Sequence, residues 1–157
     1  MDVKPHDEEA GALADRIVLV MTDLAGAMGR LNDLIAQQAG VGPTDLLCLH
    51  TLNREGASTA GALSTRLGRT TGAVTHMIDR LEKAGYVRRR PHPDDRRSVL
   101  VEAVPEALGR IAAFYEGLDA RSRRFMGEFS NEQLRTICDF LVGSHDNTVA
   151  ESDRLTG

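Results

Sequence analysis

From Ala10 to Gln38 apolar residues recur at three- and four-residue steps through Leu13, Ile17, Val20, Met21, Leu24, Met28, Leu31, Leu34 and Ile35. That spacing predicts one long amphipathic helix with a continuous stripe, the first nine residues being left disordered. Gly40-Val41-Gly42-Pro43 breaks the pattern, and Pro43 is placed to open a second helix carrying Leu46, Leu47, Leu49 and Leu52. Asn53-Arg54-Glu55-Gly56 ends it. A short helix follows, with Ser58 or Thr59 as N-cap and Ala62, Leu63 and Leu67 inward, and Gly68 supplies its terminal turn. Thr70 can cap the next helix, Thr71–Ala84, whose buried positions are Val74, Met77, Ile78 and Leu81, with Gly85 as C-cap.

The periodicity then changes. Tyr86–Arg90 reads as a strand ended by Pro91, and Ser98–Val104 as the returning strand of a hairpin. Pro105 opens a helix with Leu108, Ile111, Ala112, Tyr115 and Leu118 on one face. Ser130 and Gln133 form a capping box before a last helix carrying Leu134, Ile137, Cys138 and Leu141. The fold class expected is mainly α with a small β-hairpin wing. A helix-turn-helix followed by that wing occupies 41–104, flanked by helices at 10–40 and 105–157. This order of parts is a nucleic-acid reading head. The flanking stripes are too extended to bury themselves, so a homodimer made from both chain ends is expected.

Composition sharpens this picture at a few points. The 157 residues include six aromatics and no Trp, so the core must be aliphatic. The acidic N-terminus (Asp2, Asp7, Glu8, Glu9) is the opposite of a signal peptide, and no apolar run approaches a membrane span. A cytoplasmic protein without membrane contact is expected. The net charge of −4 is unevenly spread. Residues 41–104 hold ten basic and seven acidic side chains, a net of +3, and 66–97 hold nine against four, a net of +5. Phosphate attraction follows this local field and not the sum. Cys48 and Cys138 stand 90 residues apart without a CxxC or His partner, so two buried, reduced thiols are expected. No metal-ligand, phosphate-loop or Ser-His-Asp constellation is present, so neither an enzyme nor a bound cofactor or metal is expected.

The residues that would read DNA lie on the outward face of the second helix of the motif. With Val74, Ile78 and Leu81 inward, that face carries Thr71, Gly72, Thr75, His76, Asp79 and Arg80. Thr71 and Thr75 can contact phosphates, base edges or thymine methyls, while His76 and Arg80 can donate to phosphates or guanine edges. Gly72 lets the helix approach closely. A merely solvated polar face competes with this reading for any one of them. Ser58, Thr59, Arg69 and Thr70, at the helix starts and the turn, belong to the same candidate set. In the hairpin, Arg88, Arg89 and Arg90 run up one strand, Arg96 and Arg97 begin the return, and Asp94-Asp95 lie between. A guanidinium suits a narrow minor groove, and Asp95 can hold Arg97 in one rotamer by a bidentate pair.

Residues 41–104 resemble the MarR family of bacterial winged-helix regulators. The resemblance runs through Leu63, Leu67-Gly68, Val74-Thr75, Asp79-Arg80-Leu81-Glu82, Gly85-Tyr86-Val87, Arg89 and Pro93-x-Asp95-x-Arg97-Ser98. It implies that Arg97 enters the minor groove with Asp95 orienting it, and that Thr71, Thr75 and His76 lie in the major groove. It also implies dimerisation through the flanking helices and a double-stranded DNA partner. A crevice accepting small phenolic acids is implied as well, for which His50, Arg110 and Tyr115 are conceivable lining groups. His76 stands where the family often has Arg, and Val104-Pro105 replaces the usual Leu-Thr step. The expected function is a ligand-released, homodimeric repressor on a pseudo-palindromic operator. The alternatives are a thiol-redox-responsive regulator of the same fold and a winged-helix protein-interaction module without DNA binding. Residues 10–38 hold no Cys of the kind found in the family's peroxide sensors, and the basic wing weighs against the interaction module.

Overall fold

The computed structural model describes residues 5–95 and 97–156, with side chains over 9–95 and 97–155. The chain divides into two compact units between Ala113 and Phe114. The first holds the helices α1 (Pro5–Ala39), α2 (Pro43–Glu55), α3 (Ala60–Leu67), α4 (Thr71–Lys83) and α5 (Pro105–Ala113). It also holds the strands β1 (Ser58–Thr59), β2 (Val87–Pro91) and β3 (Val99–Ala103). The second holds α6 (Glu116–Met126) and α7 (Asn131–Thr156).

Helix α1 opens five residues earlier than the apolar stripe indicates. Pro5 suits the first helical position. The expectation of disorder therefore fails for 5–9; residues 1–4 lie outside the described ones. Only the C-terminal end of α1 is buried in its unit, at Ile35 and Ala36, while Leu13, Val20 and Leu24 are exposed.

The core of the first unit lies between α2, α3, α4 and the sheet. Its largest buried side chains are Leu46, Leu49, Leu63, Val74, Ile78, Leu81 and Val101. Thr59 caps α3, its hydroxyl accepting from the Ala62 N–H at 3.2 Å, and Thr70 caps α4 through the Ala73 N–H at 3.3 Å. Gly68 sits in the left-handed region (φ 58°, ψ 39°), which lets the Arg69 N–H reach back to the Ser64 carbonyl at 3.1 Å and closes α3 tightly. Gly85 repeats this turn after α4, with φ 75° and the Tyr86 N–H on the Leu81 carbonyl at 2.8 Å.

The wing is three-stranded, in the order β1-β3-β2. Ser58 pairs with Val101, and Val87 through Pro91 pair with Ala103 back to Val99, all antiparallel. Two residues are too few to show alternation, so β1 is invisible without its partner more than forty positions later. Pro91 is tolerated because β2 is an edge strand.

The helix expected to run from Pro105 past Leu118 is two helices, α5 and α6. Tyr115, at the joint, keeps a near-helical backbone (φ −94°, ψ −10°), so the apolar spacing continues through the break. In the second unit the Ser130 capping box forms reciprocally: the Gln133 N–H donates to Ser130 Oγ at 3.2 Å and the Ser130 N–H to Gln133 Oε1 at 2.8 Å. Between α6 and α7 lies an apolar groove of about 500 Å³, lined by Phe125, Phe129, Ile137, Cys138 and Leu141 among others. Helix α6 buries no residue.

The two thiols part company here. Cys48 is fully buried, but Cys138 is exposed, on the wall of the open groove between α6 and α7. Burial, with the nearby Asp45 charge adding to it, pushes the Cys48 thiol up to about 11. Iodoacetamide at pH 8 should therefore leave Cys48 unmodified in the native chain and alkylate it in urea. Peptide mass mapping checks this, and a Cys48 adduct forming at the same rate in both states would contradict it.

Candidate nucleic-acid interface

Helix α4 divides cleanly. Val74, Met77, Ile78 and Leu81 are buried, and Thr71, Gly72, Thr75, His76, Asp79 and Arg80 are exposed on the other side. The space around Gly72 is open, with no atom within 4 Å of where a Cβ would stand. The Thr75 hydroxyl donates to the Thr71 carbonyl one turn back at 2.9 Å and leaves its lone pairs outward. The first turn of α4 therefore offers short polar side chains on a rigid cylinder, dimensions that suit a major groove.

Most of the arginines are already paired within the chain. Arg88 and Arg90 lie on one face of β2 and share Glu102 of β3, at 2.6 and 2.7 Å. These two bonds hold the Glu102 carboxyl below its usual range, Arg88 contributing most. Arg89 points to the opposite face and clamps the wing to α4. Its guanidinium pairs with Asp79 at 2.6 Å and with Glu82, and its backbone N–H donates to Glu82 Oε1 at 3.1 Å. The Asp79 bond foremost raises the Arg89 pKa above its already high ordinary value. Arg80 pairs with Asp45 of α2 at 2.7 Å. Only Arg69 and Arg97, among the described arginines of 66–97, have no carboxylate partner within ion-pair distance. Arg96 lies outside the described residues.

The role expected of Asp95 changes. It does not grip the Arg97 guanidinium. Its Oδ1 accepts the Arg97 backbone N–H at 2.9 Å and its Oδ2 the Ser98 hydroxyl at 2.6 Å. These bonds, Ser98 first, hold the Asp95 carboxyl below its usual range. Asp95 thus shapes the turn from which Arg97 projects, and the arginine side chain itself stays exposed.

Other members of the sequence-derived set have structural positions. Ser58 is buried in β1, its Oγ accepting from Arg66 of α3 at 3.0 Å, and so is turned to α3 and not to solvent. Thr59 and Thr70 use their hydroxyls for helix caps. The three conceivable ligand-lining groups stand on α2, on α5 and at the start of the second unit. His50 is half-buried on α2, and burial lowers its pKa. The Arg110 guanidinium stacks over the Tyr86 ring, 5.3 Å from its centroid. Tyr115 belongs to the second unit, where burial raises its pKa, and it does not line the α6–α7 groove.

Sequence reasoning missed Asp45 and Tyr86. Asp45 is buried and accepts from the Gly42 N–H at 3.0 Å as well as from Arg80. Its place three residues into a helix that opens at Pro43 was visible; its partner 35 residues away was not. The Tyr86 hydroxyl donates to the Ala39 carbonyl at 2.8 Å, tying the end of α1 to the base of the wing.

Comparison with known proteins agrees with this geometry. The MarR family model matches residues 42–99, the span from α2 to the start of β3. YcgE, an HTH-type transcriptional regulator of Bacillus subtilis, is 38% identical over 120 residues, covering 76% of this chain and 78% of that protein. Among solved structures, a point mutant of MepR from a multidrug-resistant clinical isolate of S. aureus aligns with a TM-score of 0.71 at 16% identity, over 84% of this chain and 96% of that one. A second MepR mutant, bound to an oligodeoxyribonucleotide, aligns with a TM-score of 0.57, also at 16% identity, over 84% and 97%. Among the described residues no helix is long and apolar enough to cross a membrane. A two-faced helix beside a wing that projects an exposed arginine, joined to this sequence kinship, places the chain in the MarR family of helix-turn-helix transcriptional regulators, non-enzymatic proteins that bind DNA.

Proposed function

We propose that the chain acts as a homodimeric repressor, gripping a pseudo-palindromic operator and released from it by a small phenolic acid. The observation that carries the dimer is the amount of apolar surface left uncovered in each unit. Leu13, Val20 and Leu24 on α1, and Phe125, Phe140, Leu141 and Val142 on α6 and α7, are all more than 40% exposed. Such extended apolar stripes mark an interaction surface, and a second copy supplies the same stripes by symmetry. A two-fold pair presents two α4 helices, so the half-sites should lie about one helical turn, roughly 10 bp, apart. In each half-site Thr71, Thr75 and His76 enter the major groove and Arg97 the flanking minor groove.

Release by a ligand rests on the family and on the way both ends of the first unit are fastened to the wing. Tyr86 holds the end of α1 by a hydrogen bond and meets Arg110 of α5 through its ring. A compound that moves these helices therefore moves the wing. A tenfold loss of operator affinity requires about 1.4 kcal/mol of coupling, and operator must weaken the ligand by the same factor. Sedimentation velocity tests the reading in three steps. The protein should sediment as a dimer at micromolar concentration, as a two-to-one complex with an operator duplex selected from genomic fragments, and as free dimer again with millimolar salicylate. A monomer in the first step would refute the dimer. An unchanged complex in the third would remove phenolic acids as the effector class.

A further inference from the structure

We propose that Asp45 is a positioning residue for DNA binding: it pins Arg80 at the edge of a small basic depression that seats one backbone phosphate of the duplex. The inference deepens the DNA-binding reading and rests on it. The depression has a volume of about 270 Å³ and lies between the start of α2, Arg69 and the side of α4 that carries Ala73, His76 and Arg80. Its polar lining is Thr44, Arg69, His76 and Arg80, and its apolar lining is Ala73, Val74 and Met77. No carboxylate lines it, and two arginines do. Two guanidiniums with no carboxylate opposite them can meet a small anion at its rim, and their place beside the outer face of α4 suits a phosphodiester.

Asp45 determines where one of those arginines stands. Its carboxylate is buried and accepts two bonds, from the Gly42 N–H through Oδ2 and from Arg80 Nη2 through Oδ1. A buried charge without a partner is costly, so Arg80 is held to it. The bond engages one edge of the guanidinium, and the Arg80 side chain remains 62% exposed, leaving other N–H groups for an oxygen outside. A free arginine would lose rotamer entropy on reaching a phosphate; this one has already lost it on folding. Arg69, from the turn between α3 and α4, supplies the second charge and has no carboxylate partner among the described residues.

The test uses the full chain and a 30-bp duplex of random sequence. Asp45→Asn retains shape but has one acceptor oxygen, which cannot serve Gly42 and Arg80 together. It should weaken binding about tenfold for any sequence, as loss of one phosphate contact does. The slope of log affinity against log salt should flatten by about 0.9 per bound protomer, in both Asp45→Asn and Arg80→Ala. In the Arg80→Ala background, adding Asp45→Asn should change affinity by less than about twofold. Thermal melts keep folding separate from binding, because a merely destabilised but folded chain leaves the salt slope unchanged. If both variants bind with wild-type affinity and slope, the seat is refuted. If Asp45→Asn alone leaves the slope unchanged, or binds more tightly, Asp45 does not position Arg80. If the wild-type chain itself fails to bind duplex, the DNA-binding reading falls and not this inference alone.

Discussion

Ile78→Ala is expected to lower the stability of the first unit by about 2–5 kcal/mol, the usual cost of an isoleucine-sized cavity in a packed core. Ile78 is 1% exposed on the inner face of α4. Removing it strips three carbons from the junction of α4 with the core. Because a domain has only about 5–15 kcal/mol in hand, a large share of the margin goes with it. Thr75→Ala, three residues earlier and on the outer face, should change stability by less than about 0.5 kcal/mol and yet impair operator binding. Urea unfolding, read beside operator titration, separates the two effects. A Thr75 variant as unstable as the Ile78 variant would mean that the two faces of α4 are not divided as described.

Arg97→Ala should produce the largest loss of binding for a side chain that contributes nothing to folding. A minor-groove arginine is worth on the order of 1–3 kcal/mol, or roughly 5- to 150-fold in affinity, concentrated at A·T-rich flanks. The neighbouring arginines should matter less. Arg88 and Arg90 share the single negative charge of Glu102, and Arg89 is held by Asp79 and Glu82. Asp95→Ala should fall between, since it loosens the turn without removing the guanidinium. The Asp95 carboxyl is held below its ordinary range by Ser98 and by the Arg97 N–H. Its contribution to the turn is therefore present above the ordinary carboxylate pKa and is lost only as pH falls through the lowered value. At pH 5 the turn should still be intact. Equal operator affinity for Arg97→Ala and the parent chain would remove the wing tip from recognition.

The structure corrects the sequence reading chiefly where a polar side chain had a choice of partners. Asp95 two residues from Arg97 suggested a side-chain pair, but a short carboxylate reaches a backbone N–H two residues on more readily than a long guanidinium. The run Arg88-Arg89-Arg90 suggested a uniformly basic wing. Strand alternation sends the middle one to the opposite face, and each finds a carboxylate supplied by another element. Ser58 looked like an exposed cap and is a buried strand residue. The break at Tyr115 was hidden because its backbone stays near-helical.

Local chemistry made much of the molecule legible from the chain itself. Apolar spacing placed α1 through α4, and β2 and β3 of the wing were legible too. Thr70, Gly68 and Ser130 marked helix ends, because caps act within four residues and carry their signal in the residue type. Family membership was legible for the same reason, since its motifs lie along one continuous stretch. Which charges are free was not legible. The pairs Asp45–Arg80, Glu82–Arg89 and Glu102–Arg88 join elements 7 to 35 residues apart. Charge counting over 66–97 gives five net positive charges, but a guanidinium's availability to DNA depends on the carboxylate that folding brings beside it. That is a property of distance in three dimensions, and only the tertiary structure supplies it.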